Sequence, residues 1–406
     1  MKYKGTTVHA MLQGHPTDKA IAKLLPEFEK ATGIKVVIEI LPFADMTAKN
    51  FLTISQKSDR YDVFMDNWGS GIGYMASGGL EPLDAYINNP ATNKYFGGKD
   101  FVETYFKHTN YQGTQYGLPV YGESTFLMYR KDLFEQYGIK VPTTMAELME
   151  AAKQVYEKSN KTIYGITLRG SAEQNTSIWP GFLFAFGGRW MTDDDKKVDL
   201  YTPEAIAATE FYCEILKKYG PPGYTNFNWM ENRVNFTQGK SAMTIDATVN
   251  GAFNEDPTQS SVVGKVGYAP VPYVPGVKQK GGQHSLYVHS MYMNKYSKNK
   301  EATFMFMSWA TSPDIQTRGF ALEPNNGITS LTAMNSEAYK KKYGMFLDAM
   351  LEALKNANAR YSPTVPQANE IWQKVGIAIS QVEVDQKTAE QALKEVTEDL
   401  NTNVLK

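Results

Sequence analysis

The stretch Tyr116-Gly-Leu-Pro-Val-Tyr-Gly-Glu-Ser-Thr-Phe-Leu-Met-Tyr-Arg-Lys-Asp-Leu-Phe134 decides how the rest of the chain is read. Thr125, Leu127 and Tyr129 alternate with Phe126 and Met128 in a β-rich composition, which predicts a buried strand. Leu118-Pro119 precedes it, where proline stiffens the chain and removes a backbone donor. Asp132, Leu133 and Phe134 begin a helix after it. A short mid-chain strand of this kind, with Tyr121 and Glu123 at its start, suits a crossing between two lobes.

Upstream, Thr6, Val8, Ala10 and Leu12 predict a first strand ending at Gln13-Gly-His-Pro16. Thr17 or Asp18 is expected to cap a helix striped by Ile21, Leu24, Leu25 and Phe28, bent at Pro26 and stopped by Gly33. Ile34 to Leu41 reads as a nearly continuous apolar strand covered on both faces. A helix over about 44–56 and a strand at Tyr61-Asp-Val-Phe-Met65 follow. The β-α-β-α-β order implies an α/β protein with a mainly parallel, helix-flanked sheet. Ligands of such sheets sit beyond the carboxyl ends of the strands, which singles out Gln13, His15, Asp66 and Trp68.

Downstream, Thr144-Met-Ala-Glu147 forms a capping box for a helix, and Ile163 to Thr167 reads as a short strand. A helix over Pro203 to Tyr219 and a helix-to-strand run over Phe236 to Asp246 complete a second α/β set. Gly267 to Pro275 and Phe320 to Ile328 read as further crossings, with a strand over Gly281 to Met293 and a helix over Asn299 to Ala310 between them. The expected lobes are residues 1–118 plus 271–319 and residues 119–270 plus 320–406.

The 406 residues leave room for two such units, and 42% hydrophobic with 21% charged content is that of a folded chain. A net charge of -1 with both signs interspersed gives no electrostatic footprint for nucleic acid or a membrane surface. The single cysteine, Cys213, excludes an internal disulfide and lies in an apolar helical run, as a core residue does. No stretch approaches the ~18 apolar residues needed to span a bilayer. The chain enters a strand pattern directly after Met1-Lys-Tyr-Lys-Gly-Thr-Thr-Val8, so it reads as lacking a signal peptide, either cytosolic or mature with its leader removed.

Several landmarks, in order, resemble the extracellular solute-binding proteins of carbohydrate ABC importers, of the maltose-binding-protein-like type (solute-binding protein family 1). They are Leu25 to Val36, Tyr61-Asp-Val-Phe64, Gly79-Leu-Glu-Pro-Leu-Asp84, Tyr116-Gly-Leu-Pro119 with Met128 to Phe134, Phe236 to Met243, Gly281-Gly282 and Lys298 to Ala302. The resemblance implies a periplasmic-binding-protein type II-like fold of two α/β lobes joined by several hinge crossings. It further implies an interlobe cleft that shuts on a sugar or sugar alcohol, permease subunits as partners, a monomer, and an exported, periplasmic or extracellular membrane-associated protein. By the same resemblance Glu123, Asp66, Asp246, Gly282 with Gln283, and Arg360 fall at ligand positions. Relatives often carry Trp beside the paired glycines, where this chain has Gln283.

An ionised carboxylate offers only acceptors to the donor hydroxyls of a sugar, so Asp66 and Glu123 suit vicinal hydroxyls as well as a cap or ion pair. They are also the pair that a glycoside hydrolase would use, the reading from another class, while a receptor for an acidic sugar or an oligosaccharide is the other alternative. Trp68, Trp179 and Trp229 lie in polar or glycine-rich surroundings and suit either hinge packing or ligand stacking. His15 reads as a helix-entry residue or a ligand contact, and Arg360 as a donor fork. His284 and His289 lack the spacing of a zinc helix pair. Gly71 to Ala76, Gly239-Lys-Ser241 and Asp193-Asp-Asp195 each fail a nucleotide or calcium motif, so no catalytic residue, cofactor or metal is assigned.

Overall fold

Val8, Ala10, Met11 and Leu12 lie wholly inside, in strand β1 (Thr7–Gln13), the second strand of a five-stranded sheet. The computed structural model that shows this describes residues 3–278, 281–324 and 327–405. Parallel β2 (Lys35–Leu41) pairs with β1 from Thr7↔Lys35 to Gln13↔Leu41, and β3 (Val63–Asn67) lies on its other side. Strand Tyr287–Met293 runs antiparallel to β3 and to strand Gly117–Glu123, which closes the other edge. β2 is therefore an edge strand with Lys35, Val37 and Ile40 exposed, not the doubly covered strand expected.

Helix α1 (Pro16–Thr32) starts two residues earlier than a Thr17 cap would place it and three earlier than an Asp18 cap. His15 is the N-cap in extended backbone, its ring nitrogen accepting from the Thr17 amide, and Pro16 fills the first position where a missing N–H costs nothing. Gly33 ends the helix at φ 74, a left-handed conformation favouring glycine. α2 (Phe43–Ser55) and α3 (Trp68–Ala76) follow β2 and β3.

In the second unit, strand Thr125–Arg130 is central, with Met243–Ala247 and Val266–Ala269 both antiparallel to it. The expected strand over 163–167 is reduced to isolated parallel bridges, Tyr164↔Ser241 and Thr167↔Thr244. The parallel direction expected for both sheets holds for β1 to β3, for the short pair His284–Ser285 with Ala357–Asn358 and for these bridges, and is corrected for Tyr287–Met293 with its two neighbours and for the three-stranded sheet of the second unit. Continuous apolar runs report burial on both faces but carry no information on strand direction, which the long connections set. Helices Met145–Lys158, Pro203–Tyr219, Ala368–Glu383 and Ala389–Asp399 supply the helical residues of its core, the first through the Thr144/Glu147 capping box. Cys213 is buried there.

The two compact units comprise Met1–Glu123 with Tyr287–Gly344, and Ser124–Leu286 with Met345–Lys406. The chain therefore changes unit after Glu123, Leu286 and Gly344, rather than near 118, 270 and 319. The segments read as further crossings each lie inside one unit: Gly267 to Pro275 begins in strand Val266–Ala269 of the second unit, and Phe320 to Ile328 continues from helix Pro313–Leu322 of the first, with Asn325 and Asn326 outside the described residues.

Glu383, at the end of its helix, has both carboxylate oxygens buried without a hydrogen-bond partner among the described residues. Burial pushes its carboxyl up to about 9, with the nearby Lys217 opposing. The folded value lies above the ordinary 4.5, so the native state keeps a proton that the unfolded chain releases, and stability falls as pH rises between the two. Glu383→Gln should remove that dependence: by urea unfolding the variant gains on the wild type from pH 5 to pH 8, by ~1–3 kcal/mol at the upper end. Parallel curves would contradict the assignment.

Candidate functional site

In the first unit, β3 ends on Asp66 and Asn67. Asp66 is wholly buried; Oδ1 accepts from Thr47 Oγ1 at 3.2 Å and the Asn67 amide at 2.8 Å, and Oδ2 from Asn50 Nδ2 at 3.1 Å and Tyr74 OH at 2.9 Å. A carboxylate offers about four lone-pair sites, and all are used. Burial pushes this carboxyl up to about 6 while its donors pull the other way. Asp66 thus joins α2 and α3 to the strand, and Asn67 caps α3 by accepting from the Ser70 amide at 3.1 Å. Trp68 opens α3, and its side chain lies outside the described residues.

Beyond β1 and its neighbours stands a stack of rings. His15 lies parallel to Tyr121 at 3.9 Å and 8°, Tyr121 to His289 at 4.2 Å and 17°, and Tyr287 meets His289 edge-on at 4.8 Å. Tyr121 OH donates to Gln13 Oε1 at 3.1 Å, which brings Gln13, His15 and Tyr121 together. Burial pushes the His15 imidazole down to about 3 and that of His289 well below its usual range, so both rings are neutral at physiological pH. Glu123, half-buried, sits opposite Tyr287 at the end of its strand. His289 and Tyr287 were missed because His289 was weighed only as a metal ligand; its strand alternation with Tyr287 was the available signal.

In the second unit, strand Met243–Ala247 carries a counterpart to Asp66. Asp246 is wholly buried and paired with Arg169, whose Nη2 donates to Oδ1 at 2.5 Å and Nε to Oδ2 at 3.1 Å. Asn232 Nδ2 at 2.6 Å and the Ala247 amide at 2.6 Å occupy the remaining acceptor sites. Thr167 donates to Asn232, and Arg169 also donates to Gln174. Asn232 lies on helix Trp229–Thr237; Trp229 Nε1 donates to Asn250 Oδ1 at 2.8 Å and its ring meets Phe253 edge-on. Arg169 and Asn232 escaped the sequence reading, since only contacts distant in sequence connect them to Asp246.

Four of the expected ligand residues make contacts within the chain. Trp179 does not stack on a ligand: it is wholly buried in the core, edge-on to Trp190 at 5.4 Å and donating to Thr209 Oγ1 at 3.1 Å. Arg360 is largely exposed and its guanidinium is paired with Asp195, beside a cavity of about 60 Å³ lined by Arg189, Trp190 and Asp193. That volume is well below the ~300 Å³ at which small-molecule pockets begin. Gln283 turns its amide onto the Val271 carbonyl at 2.9 Å. Gly282 is required by close packing, because a Cβ there would stand 2.0 Å from the Asn356 carbonyl oxygen. Among the described residues no three or more His, Cys, Asp or Glu are grouped to hold a metal ion, and no helix is long and apolar enough to cross a membrane.

The family model for bacterial extracellular solute-binding proteins matches residues 13–317. The chain belongs to that family. It is 29% identical to a mannitol-binding protein of Pseudomonas aeruginosa over 360 residues, covering 84% of this chain and 79% of the relative. It is 26% identical to an erythritol/L-threitol-binding protein of Mycolicibacterium smegmatis, covering 77% and 68%. An ABC transporter solute-binding protein of Agrobacterium radiobacter, solved with ribitol, superposes with a TM-score of 0.87 at 26% identity over 98% of this chain and 99% of that one. One of Agrobacterium vitis, with bound D-mannitol, gives 0.81 at 28% identity over 97% of each. The family binds solutes for ABC transporters, which sets aside the glycoside hydrolase reading of Asp66 and Glu123.

Removing one partner of a buried ion pair leaves the other uncompensated. Asp246→Ala and Arg169→Met should each cost about 3–5 kcal/mol in chemical denaturation, and the double variant clearly less than their sum. Strictly additive losses would show that the two do not act as one network.

Proposed function

We propose that this protein is the substrate-binding component of an ABC importer, taking up an acyclic sugar alcohol outside the membrane and delivering it to the permease. The observation that carries the reading is the likeness along nearly the whole chain to binding proteins solved with ribitol and with D-mannitol. The chemistry fits: a polyol offers a row of hydroxyls, each donor and acceptor, along an apolar C–H edge. Glu123 supplies an acceptor, Gln13 both donor and acceptor, and Trp229 and the His15–Tyr121–His289 rings supply apolar faces. Glu123, Gln13, His15 and Tyr121 belong to one unit and Trp229 to the other. In this reading a ligand shifts a conformational equilibrium only by its differential contacts. Neutral imidazoles in the stack avoid placing fixed charge against a neutral guest. The protein acts as a monomer, exported to the periplasm or the outer face of the membrane.

A thermal-shift screen over D-mannitol, ribitol, erythritol, maltose and sugar acids, followed by calorimetry, tests this. The expected result is a selective rise in melting temperature with a polyol, as mass action requires, and a loss of about 2 kcal/mol or more in binding on Glu123→Gln. Selective binding of an oligosaccharide or a sugar acid instead, or no response to any polyol, would overturn it.

A further inference from the structure

Among the described residues, Arg233 of the second unit meets rings but no anion. Arg233 lies on helix Trp229–Thr237, one turn after Trp229, with its guanidinium over the Trp229 ring at 4.8 Å and over the Phe253 ring at 3.9 Å. Its Nε is buried and makes no hydrogen bond, and among the described residues the guanidinium has no hydrogen-bond or ion-pair acceptor. Neighbouring groups that could have accepted from it are occupied. Asp246, whose charge acts on Arg233, is filled by Arg169, Asn232 and its own chain, and Glu231 closes the capping box of the same helix. Burial lowers the guanidinium below its ordinary value, yet an arginine remains charged at neutral pH.

The two rings fix a planar fork by cation–π contact, so it loses little further freedom on meeting a ligand. A stacked guanidinium with unused N–H groups is an arrangement that an oxygen-rich guest completes, because unmade hydrogen bonds of a half-buried charged group are costly. Arg360, the residue first expected in this role, is exposed and satisfied by Asp195. Helix Trp229–Thr237 is also held in place by Asn232 on Asp246, so Trp229 and Arg233 stand on an element tied to the strand end.

Resting on the polyol reading above, we propose that Arg233 is the specificity-determining donor fork of the second unit, giving paired N–H donors to two vicinal hydroxyl oxygens of the polyol while Trp229 packs along its carbon chain. Arg233→Met keeps the bulk and removes the donors; Arg233→Lys keeps the charge and loses the fork. Calorimetry with D-mannitol, ribitol and erythritol reads the outcome for wild type and both variants, with thermal unfolding of the free proteins alongside. The polyol that wild type prefers should weaken about 30-fold or more in Arg233→Met and recover partly in Arg233→Lys, with the free melting temperature no lower than wild type. A mono-deoxy analogue lacking the recognised hydroxyl should lose affinity for wild type but not for Arg233→Met, a coupling that a merely structural arginine would not give. If Arg233→Met binds within about threefold of wild type, or the analogue shows no coupling, the role fails while the polyol reading stands. Absence of binding of all three polyols to wild type would overturn the functional reading itself, and this inference with it.

Discussion

The organisation of both units depends on a buried carboxylate at the end of a strand with every acceptor site filled by the protein. Asp66 gathers Thr47, Asn50, Tyr74 and its own following amide; Asp246 gathers Arg169, Asn232 and its following amide. A buried charge is tolerated only when paired and hydrogen-bonded, so each aspartate obliges the helices around it to present donors at fixed places. The cost of the arrangement is visible at Asp66, where burial raises the carboxyl to about 6 despite the donors around it. The benefit is positional. Helices after β2 and β3 in one unit, and Trp229–Thr237 in the other, are tied to the sheet at the strand end, where α/β sheets present their ligand-bearing residues.

This changes which residues can recognise a solute. Saturated carboxylates have no lone pair left for a hydroxyl, so Asp66 and Asp246 act as positioning residues. In the proposed reading, recognition passes to groups held beside them: the neutral rings of His15, Tyr121 and His289 with Gln13 and Glu123 in the first unit, and Trp229 with Arg233 in the second. Such a set has few fixed charges and large ring faces, which suits an uncharged polyhydroxylated molecule.

Much of the fold was legible because it rests on local rules. The strand alternation around 125–130, the capping box at Thr144/Glu147, the stop at Gly33 and the β-α-β-α-β start all recur in the structure. What sequence could not give is direction and partnership. The antiparallel sheet of the second unit comes from connections more than a hundred residues long, and the edge position of β2 from which strands fail to join it. Trp179 sits among polar and glycine residues in sequence yet is enclosed by Trp190 and Thr209 in space. Arg360 looked like a fork because arginine is one, but Asp195 claims it; Arg169 lay unnoticed because Asp246 is 77 residues away. Composition shows which groups are present, and only the fold shows which are already occupied.

The measurement that bears most directly on this account is a high-resolution crystal structure of the protein with D-mannitol or ribitol bound. The account predicts that the hydrogen bonds of Asp66 and Asp246 stay intact and that no polyol oxygen comes within about 3.5 Å of either carboxylate. A hydroxyl displacing Asn50 from Asp66, or Asn232 or Arg169 from Asp246, would contradict it.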